Sequence, residues 1–199
     1  MPEPSRRSRR VNNVTDDQLI DDALSGRSAS YGLLVSKYQD RLYTALVHVV
    51  GSFEDARDAA QDAFVQAFLK LDSFQRQSSF YTWLYRIAFN KAVSAQRRKR
   101  PQGSLDQCRE AGGPDPIDRN GAPDDALERR ERIGQVRGAL AALPHDYRAV
   151  VVLREIDGCD YDQISEILDI PVGTVRSRLH RARLQLKDHL KAVVGNAEC

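Results

Sequence analysis

Between positions 101 and 125 the chain reads PQGSLDQCREAGGPDPIDRNGAPDD. This stretch is rich in Gly, Pro and Asp and has no apolar period, whereas the sequence on both sides of it is periodic. It reads as a flexible linker, and the 199 residues leave room for two small domains around it. The separation of the two halves is then expected to be unfixed.

Before the linker, VTDDQLIDDAL opens the first ordered stretch, with Thr15 or Asp16 as N-cap and Gly26 as stop. From Tyr31, the apolar residues Leu34, Tyr38, Leu42, Leu46 and Val49 recur every three or four positions, which is the period of an amphipathic helix. Gly51-Ser52 ends it. A helix from Glu54 to Leu71 should follow, burying Ala56, Ala60, Ala63, Phe64, Ala67 and Phe68, and another from Phe80 to Arg98. Beyond the linker, Ile133, Val136 and Leu140 mark a helix closed by Leu143-Pro144, and HDYRAVVVLREIDG marks another, stopped at Gly158. No stretch alternates with period two for long enough to make a strand. The expected fold class is all-α: two small helical bundles joined by a flexible linker. The expected boundaries are a disordered basic arm over 1–14, a first bundle over 15–100, the linker over 101–126, a second bundle over 127–193 and a tail over 194–199.

The net charge of +2 says little about partners, but its distribution says more. Basic residues gather at 6–10, 97–100 and 176–183, and acids at 54–62 and 115–125. Cys108, Cys159 and Cys199 lie far apart without a CxxC, which argues against a zinc site or a disulfide framework and for reduced thiols. His48, His145, His180 and His189 show no triad, metal or acid–base spacing, so no cofactor, metal or independent active site is expected. The apolar runs are too short to span a bilayer and the N-terminus lacks a secretory pattern, which points to a cytoplasmic protein without membrane insertion.

The segment DYDQISEILDIPVGTVRSRLHRAR carries the sharpest pattern. Asp160 stands three residues before Gln163, as in a capping box, and Asp169-Ile170-Pro171 makes a tight break. Pro171 suits the first turn of a helix, where its missing N–H costs nothing. Val172, Val175, Leu179 and Ala182 then face inward. Arg176, Ser177, Arg178, His180, Arg181 and Arg183 remain outside. A short helix, a tight turn and a helix with an arginine face is what reading a major groove requires. The bland alternative is a solvated face on an ordinary hairpin, but no carboxylate interrupts the row between Arg176 and Lys187.

In SSFYTWLYRIAFNKAVSAQRRKR, the residues Phe80, Trp83, Leu84, Ile87 and Ala88 have core spacing. Tyr81, Tyr85, Arg86, Asn90 and Lys91 fall largely on other faces, and the helix exits into Arg97-Arg98-Lys99-Arg100. Exposed aromatics beside arginine suit unstacked bases, and the basic exit suits phosphate. A merely solvated face is the competing reading. The acidic face with Asp58, Gln61 and Asp62 would repel DNA and fits a protein partner, or simply solubility.

Taken together, DARDAAQDAFVQAFLKLDSF, SSFYTWLYRIAFNKA and LREIDGCDYDQISEILDIPVGTVRSRLHRAR resemble a bacterial sigma factor of the extracytoplasmic-function group of the sigma-70 family, in its sigma-E-like branch. The resemblance covers about residues 15–100 and 127–192. It implies that the first bundle is region 2, gripping the β′ clamp helices of core RNA polymerase through Asp58, Gln61 and Asp62. It implies that the loop with Gln75, Arg76, Gln77 and Ser78 captures an unstacked base of the −10 element. The helix after it, with Tyr81, Tyr85, Arg86, Asn90, Lys91, Arg97 and Arg98, would lie along the melted strand and upstream duplex. The second bundle would be region 4, docked on the β flap and reading the −35 element of promoter DNA through Arg176, Ser177, Arg178, His180 and Arg181. The family also implies an inhibitory anti-sigma partner. Two positions depart from its pattern: Arg76-Gln77 stand where sigma-E-like loops often carry Gly and an acid, and His180 where an apolar or aromatic residue is common. Rival readings are a sigma mimic that sequesters an anti-sigma factor, which would tend to lose one basic surface, and a DNA-processing enzyme, for which the first bundle offers no nucleophile constellation.

Overall fold

The computed structural model describes residues 14–99 and 123–195, with side chains over 14–92 and 133–191. The arm, the core of the linker, Cys108, Cys199 and the side chains of Arg97 and Arg98 lie outside the described residues. What is described is helical, with no strand among the described residues.

The first half is built from α1 (Asp16–Leu24), α2 (Ser28–Val50), α3 (Phe53–Leu69) and α4 (Phe80–Lys99), with a 3-10 turn at Leu71–Ser73. Thr15 caps α1 in a reciprocal box with Gln18, which satisfies two backbone donors at once. Gly51 ends α2 in the left-handed region, at φ 80°, a conformation that costs glycine little. Ala56, Ala59, Ala60, Ala63 and Ala67 form the buried stripe of α3, and side chains that small let it lie close against α2 and α4. Phe74, Phe80 and Trp83 close the bottom of this core, with Phe74 and Trp83 ring centroids 4.9 Å apart. Phe68, expected inside, is 46 % exposed, with its ring tilted against Tyr31 at a centroid distance of 4.9 Å.

The second half contains α5 (Pro123–Ala142), α6 (His145–Val151), α7 (Tyr161–Leu168) and α8 (Val172–Gly195). The helix expected to run from His145 to Gly158 changes character on the way, widening to a π turn over Val152–Ile156 before Gly158. Asp160 and Gln163 form the anticipated capping box, and Asp169, at φ 53°, makes the break before Pro171.

The linker composition leaves the separation of the two halves unfixed; in the structure they are in contact. They pack together, α4 against α7 and α2 against the π turn and α6, and their buried residues form one contiguous core. Arg41 of α2 holds this junction: its Nε donates to Asp157 Oδ1 and its Nη2 to the Asp157 carbonyl, both at 2.8 Å. Arg148 of α6 reaches across to donate to the Val49 carbonyl at 3.3 Å, and the Phe89 and His145 rings meet at 5.6 Å.

Candidate nucleic-acid and polymerase surfaces

The α7–α8 pair has the helix-turn-helix form read from the sequence. Ser165 Oγ donates to the Ile170 carbonyl at 2.6 Å, and the Pro171 carbonyl accepts from Thr174 N and Val175 N. Val175, Leu179 and Ala182 are buried, which turns the opposite face of α8 outward. Arg176, Ser177, His180 and Arg181 are exposed there, paired at the i, i+4 spacing that makes neighbours on a helix. Arg176 also lies over the Tyr161 ring, 5.8 Å from its centroid, with Arg154 at 5.0 Å from the same ring. Arg178 does not share this face. Only 28 % of its side chain is exposed, and its Nη2 lies 2.9 Å from Asp146 Oδ2 of α6.

At the other expected nucleic-acid surface the structure corrects the sequence reading. Tyr81 and Tyr85 are not exposed; both are buried, because α4 has a second neighbour in the other half of the chain. The Arg41 guanidinium covers the Tyr81 ring at 4.0 Å, and the two tyrosine rings meet edge-on at 5.8 Å. Neither hydroxyl makes a well-formed hydrogen bond, although the Asp157 carboxylate lies near. Burial, reinforced by that carboxylate, pushes both phenols well above their ordinary pKa. Beside them, burial and then Asp157 push the Cys159 thiol up to about 12, which keeps it protonated and unreactive.

Arg86, Asn90 and Lys91 do stand in solvent, as do Gln75, Arg76 and Gln77, while Ser78 is half-buried. Arg76 adopts a left-handed backbone, φ 56°, where a side chain is strained and glycine is not. Its guanidinium is held by Asp21 and lies 3.7 Å from Asp17, both on α1. These contacts offset the strain of an arginine in this backbone conformation.

Asp58, Gln61 and Asp62 are exposed together on α3, and Asp62 lies 3.6 Å from Lys91 of α4. The face continues as apolar surface: Val65 and Leu69, at 53 % and 66 % exposure, extend the same side of the helix, and Leu33 of α2 is exposed as well. Sequence reading missed this strip, although Val65 and Leu69 fall off the buried alanine stripe and could have been found by that phase. On the second half, Val151, Leu186 and Leu190 line an open groove of about 870 Å³ rimmed by Glu155, Arg183, Lys187 and Lys191. Among the described residues there is no cluster of metal-ligating side chains, and no helix is long and apolar enough to cross a membrane.

Known proteins share this organisation. Sigma-70 region 2 matches residues 34–102, and Sigma-70, region 4 matches residues 133–186. The chain is 36 % identical over 188 residues to the ECF RNA polymerase sigma-E factor of Escherichia coli, spanning 91 % of this chain and 97 % of that one. It is likewise 36 % identical over 187 residues to the RNA polymerase sigma-H factor of Pseudomonas aeruginosa, spanning 92 % and 97 %. Among solved structures it is similar to CnrH in complex with the cytosolic domain of CnrY, with a TM-score of 0.65 and 28 % identity over 87 % of this chain and 96 % of that one. RpoE of Bartonella quintana has the same fold, with a TM-score of 0.64 at 22 % identity over 81 % and 96 %. With a region 2 before the linker, a region 4 after it and alignment to sigma-E over nearly its whole length, the chain belongs to the extracytoplasmic-function group of the sigma-70 family, and it is an RNA polymerase sigma factor for promoter-specific transcription initiation.

Proposed function

We propose that the chain divides promoter recognition between its halves, with region 2 over residues 15–100 and region 4 over 127–193. Region 4 reads the −35 element with the exposed face of α8, where Arg176 and Arg181 reach base edges or phosphate and Ser177 and His180 complete the contact. The observation that carries this reading is that face itself, basic and exposed on the second helix of a helix-turn-helix whose opposite side is buried. Region 2 takes the −10 element: the loop with Gln75 to Ser78 holds an unstacked base, and Arg86, Asn90 and Lys91 follow the strand toward Arg97 and Arg98. Capture of bases in single-stranded form offsets the cost of unstacking them. Tyr81 and Tyr85 join that surface only when the halves part, which core polymerase achieves by holding them at separate promoter elements.

The acidic face of α3 with its apolar extension docks the β′ clamp helices, and region 4 docks the β flap. Polymerase performs the chemistry; the sigma subunit itself is not a catalyst and acts in the cytoplasm. CnrH is found with the cytosolic domain of a second protein, which supports an anti-sigma partner for this chain as well.

The test is run-off transcription with core polymerase on promoters selected from genomic DNA. Productive initiation that depends on both elements is the expected result; polymerase binding without promoter selectivity would refute it. Within that assay, Asp62→Lys or Leu69→Arg should weaken co-purification with core polymerase while leaving helicity unchanged, since both positions are exposed on a helix. Undiminished co-purification would return that face to a role in solubility.

A further inference from the structure

The arginine row on α8 is not uniform, and the difference assigns a role to a residue of another helix. Val175, Leu179 and Ala182 are buried, and Arg178 lies on the edge of that stripe rather than beside Arg176 and His180. Its charge is taken up by Asp146 at 2.9 Å, in the first turn of α6, and the other oxygen of that carboxylate lies 3.8 Å from His145 Nδ1. Further along α8, Arg183 is tied in the same manner: its Nε and Nη2 donate to Glu155 Oε1 of the π turn at 3.0 and 2.6 Å.

We infer that Asp146 and Arg178 form a brace that sets the rotation of the recognition helix, and that Arg178 is a positioning residue rather than a reader of bases. Successive residues on a helix are rotated by about 100°, so a small turn of α8 about its axis moves Arg176, Ser177, His180 and Arg181 relative to the base edges. Apolar packing along Val175, Leu179 and Ala182 is non-directional and tolerates such a turn; an ion pair that ties the edge of that stripe to the first turn of α6 resists it. With the Asp146 side chain 60 % exposed, the ion pair adds little to folding, so its use lies in orientation.

The inference rests on the −35 reading of α8 proposed above. The full-length protein with core polymerase is assayed on a matched promoter, on all single base-pair variants of its −35 element and on a promoter with that element scrambled. Arg178→Ala and Asp146→Asn should each lower transcription from the matched promoter roughly three- to tenfold, with the double variant no worse than either single one. The loss should spread evenly over the −35 positions and vanish on the scrambled promoter, which a damaged fold or lost flap docking would not do. Arg178→Lys should recover the larger part of the loss, since a lysine keeps the ion pair but cannot replace a bidentate base contact. The exchange Asp146→Arg with Arg178→Asp should recover part of it too. Arg176→Ala, by contrast, should flatten preference at one or two positions. Loss of discrimination at a single base pair in Arg178→Ala, with Asp146→Asn unaffected, would overturn the inference and leave the −35 reading standing. If Arg176→Ala, Ser177→Ala and Arg181→Ala all leave the preference profile intact, the −35 reading fails and the brace fails with it.

Discussion

Helices α4 and α8 carry the same kind of sequence, a buried stripe with basic and polar residues off it, yet they end in different surroundings. On α8 one side packs against α5, α6 and α7, and the other remains open with Arg176, Ser177, His180 and Arg181 on it. On α4 the stripe of Phe80, Trp83, Leu84 and Ala88 packs on α2 and α3, and the side with Tyr81 and Tyr85 is covered by α7 and the segment before it. The chemistry off the stripe accounts for the contrast. Arginine and serine leave a face wet, whereas two tyrosines offer large apolar area and are covered when a complementary surface is available.

The largest effect should come from abolishing that cover. The Asp157 side chain is 3 % exposed and pairs with Arg41, itself 47 % exposed. Asp157→Arg sets like charges together in a dry junction and should weaken the closed packing by about 2–4 kcal/mol, after allowing for the solvent that reaches Arg41. Two readouts follow in a background lacking Cys108 and Cys199: a larger radius in small-angle scattering, and faster alkylation of Cys159, whose thiol is otherwise protonated and buried. An unchanged radius together with an unchanged alkylation rate would show that the junction does not depend on this pair.

Arg176→Ala should come next, costing about 1–3 kcal/mol at the −35 element if the contact to guanine is bidentate. It should act on duplex DNA with or without Asp157→Arg, because α8 needs no uncovering. Arg86→Ala should act on the −10 strand more strongly once the halves are parted. If Arg176→Ala and Arg86→Ala respond identically to Asp157→Arg, the contrast between the two helices has no functional meaning.

The smallest effect belongs to the loop that leads into α4. Arg76→Gly relieves a left-handed residue, a gain of about 1–2 kcal/mol, but removes the contacts with Asp17 and Asp21 and adds freedom to the unfolded chain. The terms oppose one another, so thermal unfolding should shift by less than about 1 kcal/mol while the base preferred at the −10 element changes. A large change in stability with an unchanged base preference would contradict this account of the loop.

The helices were legible in the sequence because their signals are local. Asp160 with Gln163, and Gly51, each act within one turn and are where the sequence places them, and of the two candidate caps of α1 the structure uses Thr15. The exposed side of α8 with Arg176, Ser177, His180 and Arg181 was legible for the same reason, since one helical period decides it, whereas the withdrawal of Arg178 from that side was not. The pairs that decide the rest are remote: Arg41 with Asp157, Arg76 with Asp21, Arg178 with Asp146. Periodicity says which side of a helix is apolar, but not that a second neighbour will claim the other side, and so Tyr81 and Tyr85 were misplaced. The linker's composition likewise says that the tether is loose, which leaves open whether the units it joins adhere.

The Tyr81 and Tyr85 rings are buried with the Tyr85 hydroxyl left without a partner, which has a consequence for promoter affinity. A buried polar group left unsatisfied costs about 1–3 kcal/mol, so the closed arrangement is less favourable than its apolar area alone would make it. For any strand that needs those rings, the apparent affinity of the free chain is its intrinsic affinity multiplied by the fraction of molecules that are open. Each tenfold fall in that fraction removes about 1.4 kcal/mol of observable binding. A polymerase that accepts only parted halves raises the fraction by as much as it prefers them, without touching the DNA contacts. Weak promoter binding by the free chain and strong binding by the holoenzyme are then the expected two ends of one equilibrium.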